Sequence, residues 1–174
     1  MIKARLNHAD NKVKCINQAV GAEKGVITFT SDLDTVNHAV AAGEKSESTI
    51  TVEVTTLDDS LEGDSPSLIK IDVEGYELPV LEGAHRTLET KRLNAIILEL
   101  NGSGSRYGYD ESNILNLMLE HDFKTYSYDP FKRKLTDLNG KNLISGNTLF
   151  IRDKLFVEDR IKTSPKLVIH DQEF

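Results

Sequence analysis

Lys70, Asp72 and Glu74 stand at alternate positions of the stretch SLIKIDVEGYE, residues 67–77, and Ile69, Ile71 and Val73 stand between them. A period of two is the pattern of a β-strand, so the charged side chains fall on one face and the aliphatic ones on the other. Gly75 then lets the chain turn into a helix. A second apolar run, LNAIILEL at residues 93–100, also closes on an acid, Glu99, with Asn101 just beyond it. Adjacent strands lie about 4.8 Å apart, so a register that sets Ile69 beside Ile96 sets Asp72 beside Glu99. Lys70, Asp72, Glu74, Glu99 and Asn101 then share one mouth. Crowded carboxylates raise one another's pKa unless a cation or a proton separates them. Such a mouth serves as a general base toward a hydroxyl, or holds a hard divalent ion through oxygen ligands. The plainer alternative is a structural ion pair of Lys70 with Asp72 or Glu74 that finishes the strand.

Other constellations fall short of a chemical role. GSGSRYG, residues 102–108, lies between a strand and a helix as a dinucleotide-binding turn does, and Asp129 follows at a plausible distance. That fingerprint needs glycine at its sixth position, where Tyr107 stands with Gly108 one place late, so the loop reads as a substrate-side loop or a connector. None of the five histidines pairs with another at metal-ligand spacing, and Cys15, the single cysteine, has no neighbour for zinc. Ser103 and Ser105 lack the strained strand-to-helix elbow of a hydrolase nucleophile. Cys15 reads as a small core residue.

The elements that must position the charged mouth follow from pattern and punctuation. Residues 1–11 are mostly polar, and Ile2 and Leu6 at helical spacing suggest the last turns of a helix. VKCINQAV, residues 13–20, reads as a strand; Gly21 and Gly25 bracket a turn into a second strand, VITFT, at 26–30. Residues 31–48 are polar and weakly periodic, a long surface loop of the kind that often touches ligand. TITVEVT at 49–55 alternates as a strand with one dry face, and Thr55 or Thr56 caps a short helical turn over 57–61. After the 67–73 strand, Pro79 suits a first helical turn, and Leu78, Leu81, Ala84 and Leu88 line one side of a helix reaching about Thr90. The 93–100 run reads as a parallel strand covered on both faces. Asp110 caps a helix over 111–121 that buries Ile114, Leu117 and Met118. Short strands at 124–128, 134–136 and 147–152, with an Asn139-Gly140 turn, close the series. The class is α/β with a mixed sheet and an antiparallel C-terminal edge. Beyond residue 153 the pattern gives a short helix and a polar tail.

At 174 residues the chain has the length of one domain, short for a complete cofactor-dependent α/β enzyme. Its net charge of -7 argues against nucleic acid or an anionic membrane surface as partner, since both select basic patches. No apolar run approaches the roughly 20 residues of a membrane span, there is no signal-peptide core, and one cysteine fits a reducing compartment. The expectation is a soluble, cytoplasmic protein.

LIKIDVEGYELPVLEGA, residues 68–84, resembles the signature of the FkbM-type S-adenosylmethionine-dependent methyltransferases. The NQAVG ending of residues 13–21, Thr56-Leu57-Asp58, Ile97-Leu98-Glu99 and Asn147-Thr148-Leu149-Phe150 fall where that family has similar segments. The resemblance covers roughly residues 5–152, which gives a partial methyltransferase domain at 1–152 and a tail at 153–174. It implies a class I methyltransferase-like, Rossmann-like sheet, S-adenosylmethionine as cofactor, and methyl transfer to a hydroxyl of a sugar, glycan or natural-product small molecule. Displacement at a sulfonium methyl is helped by aligning the acceptor oxygen and removing its proton. Matched position by position, Asp72 is the leading base or cofactor-side carboxylate, Glu74 supports it and Lys70 orients it. Glu99 is the second candidate. Asn17, Gln18 and Ala19 fall near the adenine.

The family's opening strand, its glycine-rich cofactor turn and the following acid-ended strand have no counterpart here. Residues 1–11 resemble only the helix after that second strand. The resemblance therefore implies an incomplete sheet, with a gap between the strands of residues 13–20 and 67–73. Three expectations follow: a truncated, weakly active or inactive fragment; a homodimer or partner chain that completes the sheet; or a non-catalytic binding module that keeps the fold remnant.

Overall fold

A computed structural model of the protein describes residues 12–142, 146–166, 168–169 and 172–173. The helix expected over residues 1–11 lies outside them. In chain order the elements are β1 (Ala19–Val20), β2 (Gly25–Thr30), β3 (Thr49–Thr55), α1 (Leu57–Ser60), β4 (Leu68–Ile71), α2 (Glu77–Glu82) and α3 (His85–Glu89). There follow β5 (Ala95–Glu99), α4 (Glu111–Glu120), β6 (Lys124–Asp129), β7 (Lys134–Asp137), β8 (Asn147–Ile151), α5 (Lys154–Thr163), β9 (Val168–Ile169) and β10 (Gln172–Glu173).

The larger sheet has the order β4-β5-β8-β6-β7. β4 and β5 are parallel with Ile69 opposite Ile96 and Ile71 opposite Leu98, the register that brings Asp72 level with Glu99. β8 runs antiparallel between β5 and β6, so β5 has one parallel and one antiparallel neighbour. The alternation in β4 is realised as expected: Ile69, Ile71 and Val73 pack into the core beneath α2, α3 and α4, with Ile96, Leu98 and Phe150 beside them. The opposite face carries Ala95, Tyr126 and Ile151, against which α5 lays Val157 and Ile161. α5 covers that face only in part. An apolar groove of about 580 Å³, lined by Leu68, Ile97, Leu149 and Phe156, remains beside it.

Among the described residues the strands on either side of the expected gap form two separate sheets. β1, β3 and β2 make a separate three-stranded sheet, and among the described residues β4 has a strand neighbour only on its β5 side. The strand expected over residues 13–20 shrinks to Ala19–Val20, which pairs in parallel with Val54 and Thr55. Cys15, expected in a strand core, is exposed. Asn17 and Gln18 precede the paired part and are also exposed.

Local capping explains several boundaries. The Thr56 hydroxyl accepts the Asp59 amide at 3.1 Å and starts α1. Asp110 accepts the Ser112 amide at 2.8 Å while the Asn113 side chain accepts the Asp110 amide at 3.1 Å, a reciprocal box that starts α4. The single helix expected to reach Thr90 is broken at Gly83 and Ala84, for tertiary reasons. A Cβ at Gly83 would lie 2.1 Å from the Gly21 carbonyl oxygen, so the end of β1 presses directly on the break. Asp58 then restarts the helix as α3, accepting the amides of Arg86 and Thr87 and the Thr87 hydroxyl.

Arg152, just past β8, ties the layers together. Its guanidinium donates to the carbonyls of Leu88, Thr90, Leu93 and His121, the loose ends of α3 and α4, and lies 4.2 Å above the Phe123 ring. Methionine at this position keeps the packing and strips this donor from the carbonyls of Leu88, Leu93 and His121, while Thr90 keeps the Leu93 amide. Arg152→Met is therefore expected to cost about 3 kcal/mol, read as a lower urea midpoint at unchanged slope.

Candidate active site

The chain leaves β4 through Asp72, Val73, Glu74 and Gly75 before entering α2. Glu74 and Gly75 both lie in the left-handed region, at φ +52° and +99°. Gly75 is also the point of closest approach: a Cβ there would lie 2.6 Å from the carbonyl carbon and oxygen of Ser103. The segment expected as a flexible loop, residues 102–108, is a 3₁₀ turn at Ser103–Tyr107, seated directly on the β4–α2 turn. Arg106 from that turn donates to the Glu74 carbonyl at 3.2 Å.

Lys70 stands 2.8 Å from Asp72, with their side chains 40% and 48% exposed. The pair is therefore open to solvent and to ligand. Glu99 lies on the same sheet face, opposite Asn147 of β8. Asn101 accepts the Ser103 amide at 3.1 Å, so it shapes the loop start. Asn17, Gln18 and Ala19 stand on the smaller sheet, where Gln18 reaches Glu53 at 3.5 Å. The two sheets meet through Gly21, which abuts Tyr76 and Gly83. Among the described residues no three histidine, cysteine or acidic side chains gather as metal ligands.

The long loop of residues 31–48 comes to the same mouth. The Tyr107 hydroxyl donates to the Ala39 carbonyl at 2.7 Å, and the Tyr107 ring meets Tyr76 edge-on at 5.1 Å. Inside the loop, the buried His38 faces the Val36 carbonyl at 2.9 Å and Glu44 at 2.8 Å. The Ala41 amide and His38 hold the Glu44 carboxyl below its ordinary value. Alternation and motif spacing carried no sign of this loop anchor.

Glu77 is the group that sequence reasoning missed. A glutamate in a first helical turn usually faces solvent and the helix dipole. Here it is 3% exposed. Its Oε1 accepts the amides of Gly75 at 3.2 Å and Val73 at 3.4 Å, and its Oε2 lies 3.4 Å from the Tyr109 hydroxyl. Burial pushes the Glu77 carboxyl above its ordinary value and pushes the Tyr109 hydroxyl up further. The arrangement thus holds two kinds of acid: exposed or half-buried carboxylates at the mouth and a buried one behind it.

Residues 1–125 match the family model of the methyltransferase FkbM domain. A crystal structure of methyltransferase FkbM from Methylobacillus flagellatus KT aligns at a TM-score of 0.51 and 15% identity, over 86% of this chain and 32% of that one. At that identity the likeness is one of fold, and the chain spans about a third of that protein's length. No protein of curated function matches the chain.

The burial of Glu77 sets a sign for pH dependence. The unfolded chain releases this proton near 4.5, and the folded chain holds it to higher pH. The group's contribution to stability is complete below the lower value and is lost as pH rises through the higher one. Glutamine is neutral throughout. The thermal midpoint of Glu77→Gln, taken relative to wild type, is expected to rise between about pH 4 and pH 8, as followed by circular dichroism. A flat difference would show that burial does not perturb the group.

Proposed function

The chain belongs to the FkbM methyltransferase domain family, and on that premise we propose that it serves S-adenosylmethionine-dependent methyl transfer to a hydroxyl of a sugar, glycan or natural-product acceptor in the cytoplasm. The observation that carries this reading is the parallel register of β4 and β5, which sets Asp72 level with Glu99 and leaves Lys70 2.8 Å from Asp72. S-adenosylmethionine, when bound, supplies an electrophilic methyl group on a sulfonium cation. The donor set suits it. Asp72, Glu74 and Glu99 give the mouth a negative field that favours a cation, and the side-chain amides of Asn17 and Gln18, next to the small Ala19, offer both donors and acceptors to an adenine edge.

Asp72 accepts the proton of the acceptor hydroxyl in this reading. Lys70 orients the Asp72 carboxylate, Glu74 adds to the field, and Glu99 is the alternative base. General-base assistance of this kind contributes roughly 10²–10⁴ in rate.

The open edge of β4 supports a further part of the proposal. Its amides and carbonyls, without a strand partner among the described residues and beside the apolar groove under α5, invite a strand from a second copy or a partner chain, which would form the far wall of the pocket. The 174-residue chain by itself is then weakly active or inactive. The same open edge favours a second reading, a non-catalytic binding module on the same fold.

Titrating the chain alone with S-adenosylmethionine by calorimetry is expected to give a Kd weaker than about 100 μM. Low-micromolar binding would overturn the claim of an incomplete pocket. In any assembly of this chain that transfers methyl from labelled cofactor, Asp72→Asn is expected to slow transfer by at least about 100-fold while the melting curve stays in place. An unchanged rate removes Asp72 from the base role; no transfer in any assembly favours the binding module.

A further inference from the structure

Glu77 is a buried ionisable group to which methyl transfer assigns no task. Around it the hydrogens can be counted. The Tyr109 hydroxyl donates to the Gly75 carbonyl, accepts the Leu78 amide at 3.4 Å, and lies 3.4 Å from Glu77 Oε2. A phenol carries one hydrogen. The hydroxyl donates toward both the Gly75 carbonyl and Glu77 Oε2, so that single hydrogen ties the carboxyl to the turn. The other carboxylate oxygen is already turned toward the amides of Val73 and Gly75.

The ionisable groups near Glu77 point the same way. Tyr109 faces it from the segment entering α4, with Tyr107 behind, and Asp72 and Glu74 lie along the turn. No lysine, arginine or histidine pairs with Glu77 among the described residues. A buried carboxylate without a cation favours its neutral form.

The turn needs such a partner. Left-handed backbone at a residue other than glycine, as at Glu74, costs roughly 1–2 kcal/mol and persists only where the surroundings impose it. We infer that Glu77 is a positioning residue: a buried carboxyl that accepts from the Tyr109 hydroxyl and, through the Val73 and Gly75 amides, holds the turn that presents Asp72 and Glu74. This inference rests on reading that mouth as the methyl-transfer site.

The test compares Glu77→Gln, Glu77→Ala and Tyr109→Phe by amide hydrogen exchange, with circular dichroism as the check on folding. Glutamine keeps the shape of the side chain and one oxygen for the Val73 and Gly75 amides. It is expected to keep exchange at Val73 and Gly75 within about twofold of wild type, whereas alanine speeds those two amides by at least about tenfold and leaves distant core amides unchanged. In an assembly that transfers methyl, alanine is expected to lower kcat by about tenfold with KM for S-adenosylmethionine within about twofold, and glutamine to restore kcat. Unchanged exchange in Glu77→Ala overturns the inference, as does a folded Glu77→Gln that exchanges like alanine. Should Glu77→Ala not fold, Tyr109→Phe decides: faster exchange at Leu78 supports the clamp, and wild-type exchange there overturns it. If the amides respond as expected while no assembly transfers methyl, the reading of the mouth as a methyltransferase site falls and the clamp stands.

Discussion

The turn after β4 runs through two successive left-handed residues, Glu74 and Gly75, and everything at the mouth depends on how it is held. Gly75 lies against the Ser103 backbone with no room for a side chain, so the 3₁₀ turn at Ser103–Tyr107 and the β4–α2 turn form one body. From that body Arg106 reaches the Glu74 carbonyl and Tyr107 reaches Ala39 in the long loop. Three segments far apart in sequence are thereby fixed at one strand end. Moving any one of them moves the backbone that carries Asp72.

A second constraint joins the two sheets. Among the described residues they share no strand pairing, and they meet through side-chain and backbone contact at the end of β1. Val20 packs into the main core, and the Gly21 carbonyl fills the space that a side chain at position 83 would take. The interruption between α2 and α3 is the consequence: the helix yields where β1 needs room, and Asp58 supplies acceptors to the amides that the break exposes. Contact of this kind fixes a distance but forms no ladder, and among the described residues β4 has one paired edge.

Much of the fold was legible because its signals are local. The alternation at residues 67–73, the caps at Thr56 and Asp110, the Asn139-Gly140 turn and the β4–β5 register all follow from rules that act over a few residues, or over one pair of matched apolar strands. The misreadings share the opposite cause. Residues 13–18 alternate like a strand, yet pairing is limited to Ala19 and Val20, where β3 offers a neighbour. The periodicity of residues 78–90 is that of one helix, and the break at Gly83 comes from a segment sixty residues earlier. For the site, charge at strand ends announced Lys70, Asp72, Glu74 and Glu99. The burial of Glu77 depends on Tyr109, thirty-two residues on, and position 77 alone reads as a solvated helix start.

Asp72 and Glu77, five residues apart, show how environment divides labour between like groups. Asp72 is about half exposed, and its ion pair with Lys70 is the kind of surface contact worth about 1 kcal/mol or less. An incoming cation or hydroxyl can therefore displace Lys70 at little cost, and the carboxylate stays in reach of solvent protons. Those are the properties of a group that takes part in a reaction. Glu77 has no such exchange partner: it is sealed behind the turn, it touches two amides and a phenol, and burial raises its pKa. A carboxyl in that position touches backbone amides and a phenol rather than the open mouth, and it keeps a strained turn in place. On the proposed reading, chemistry at the mouth falls to Asp72 and its neighbours, and geometry falls to Glu77.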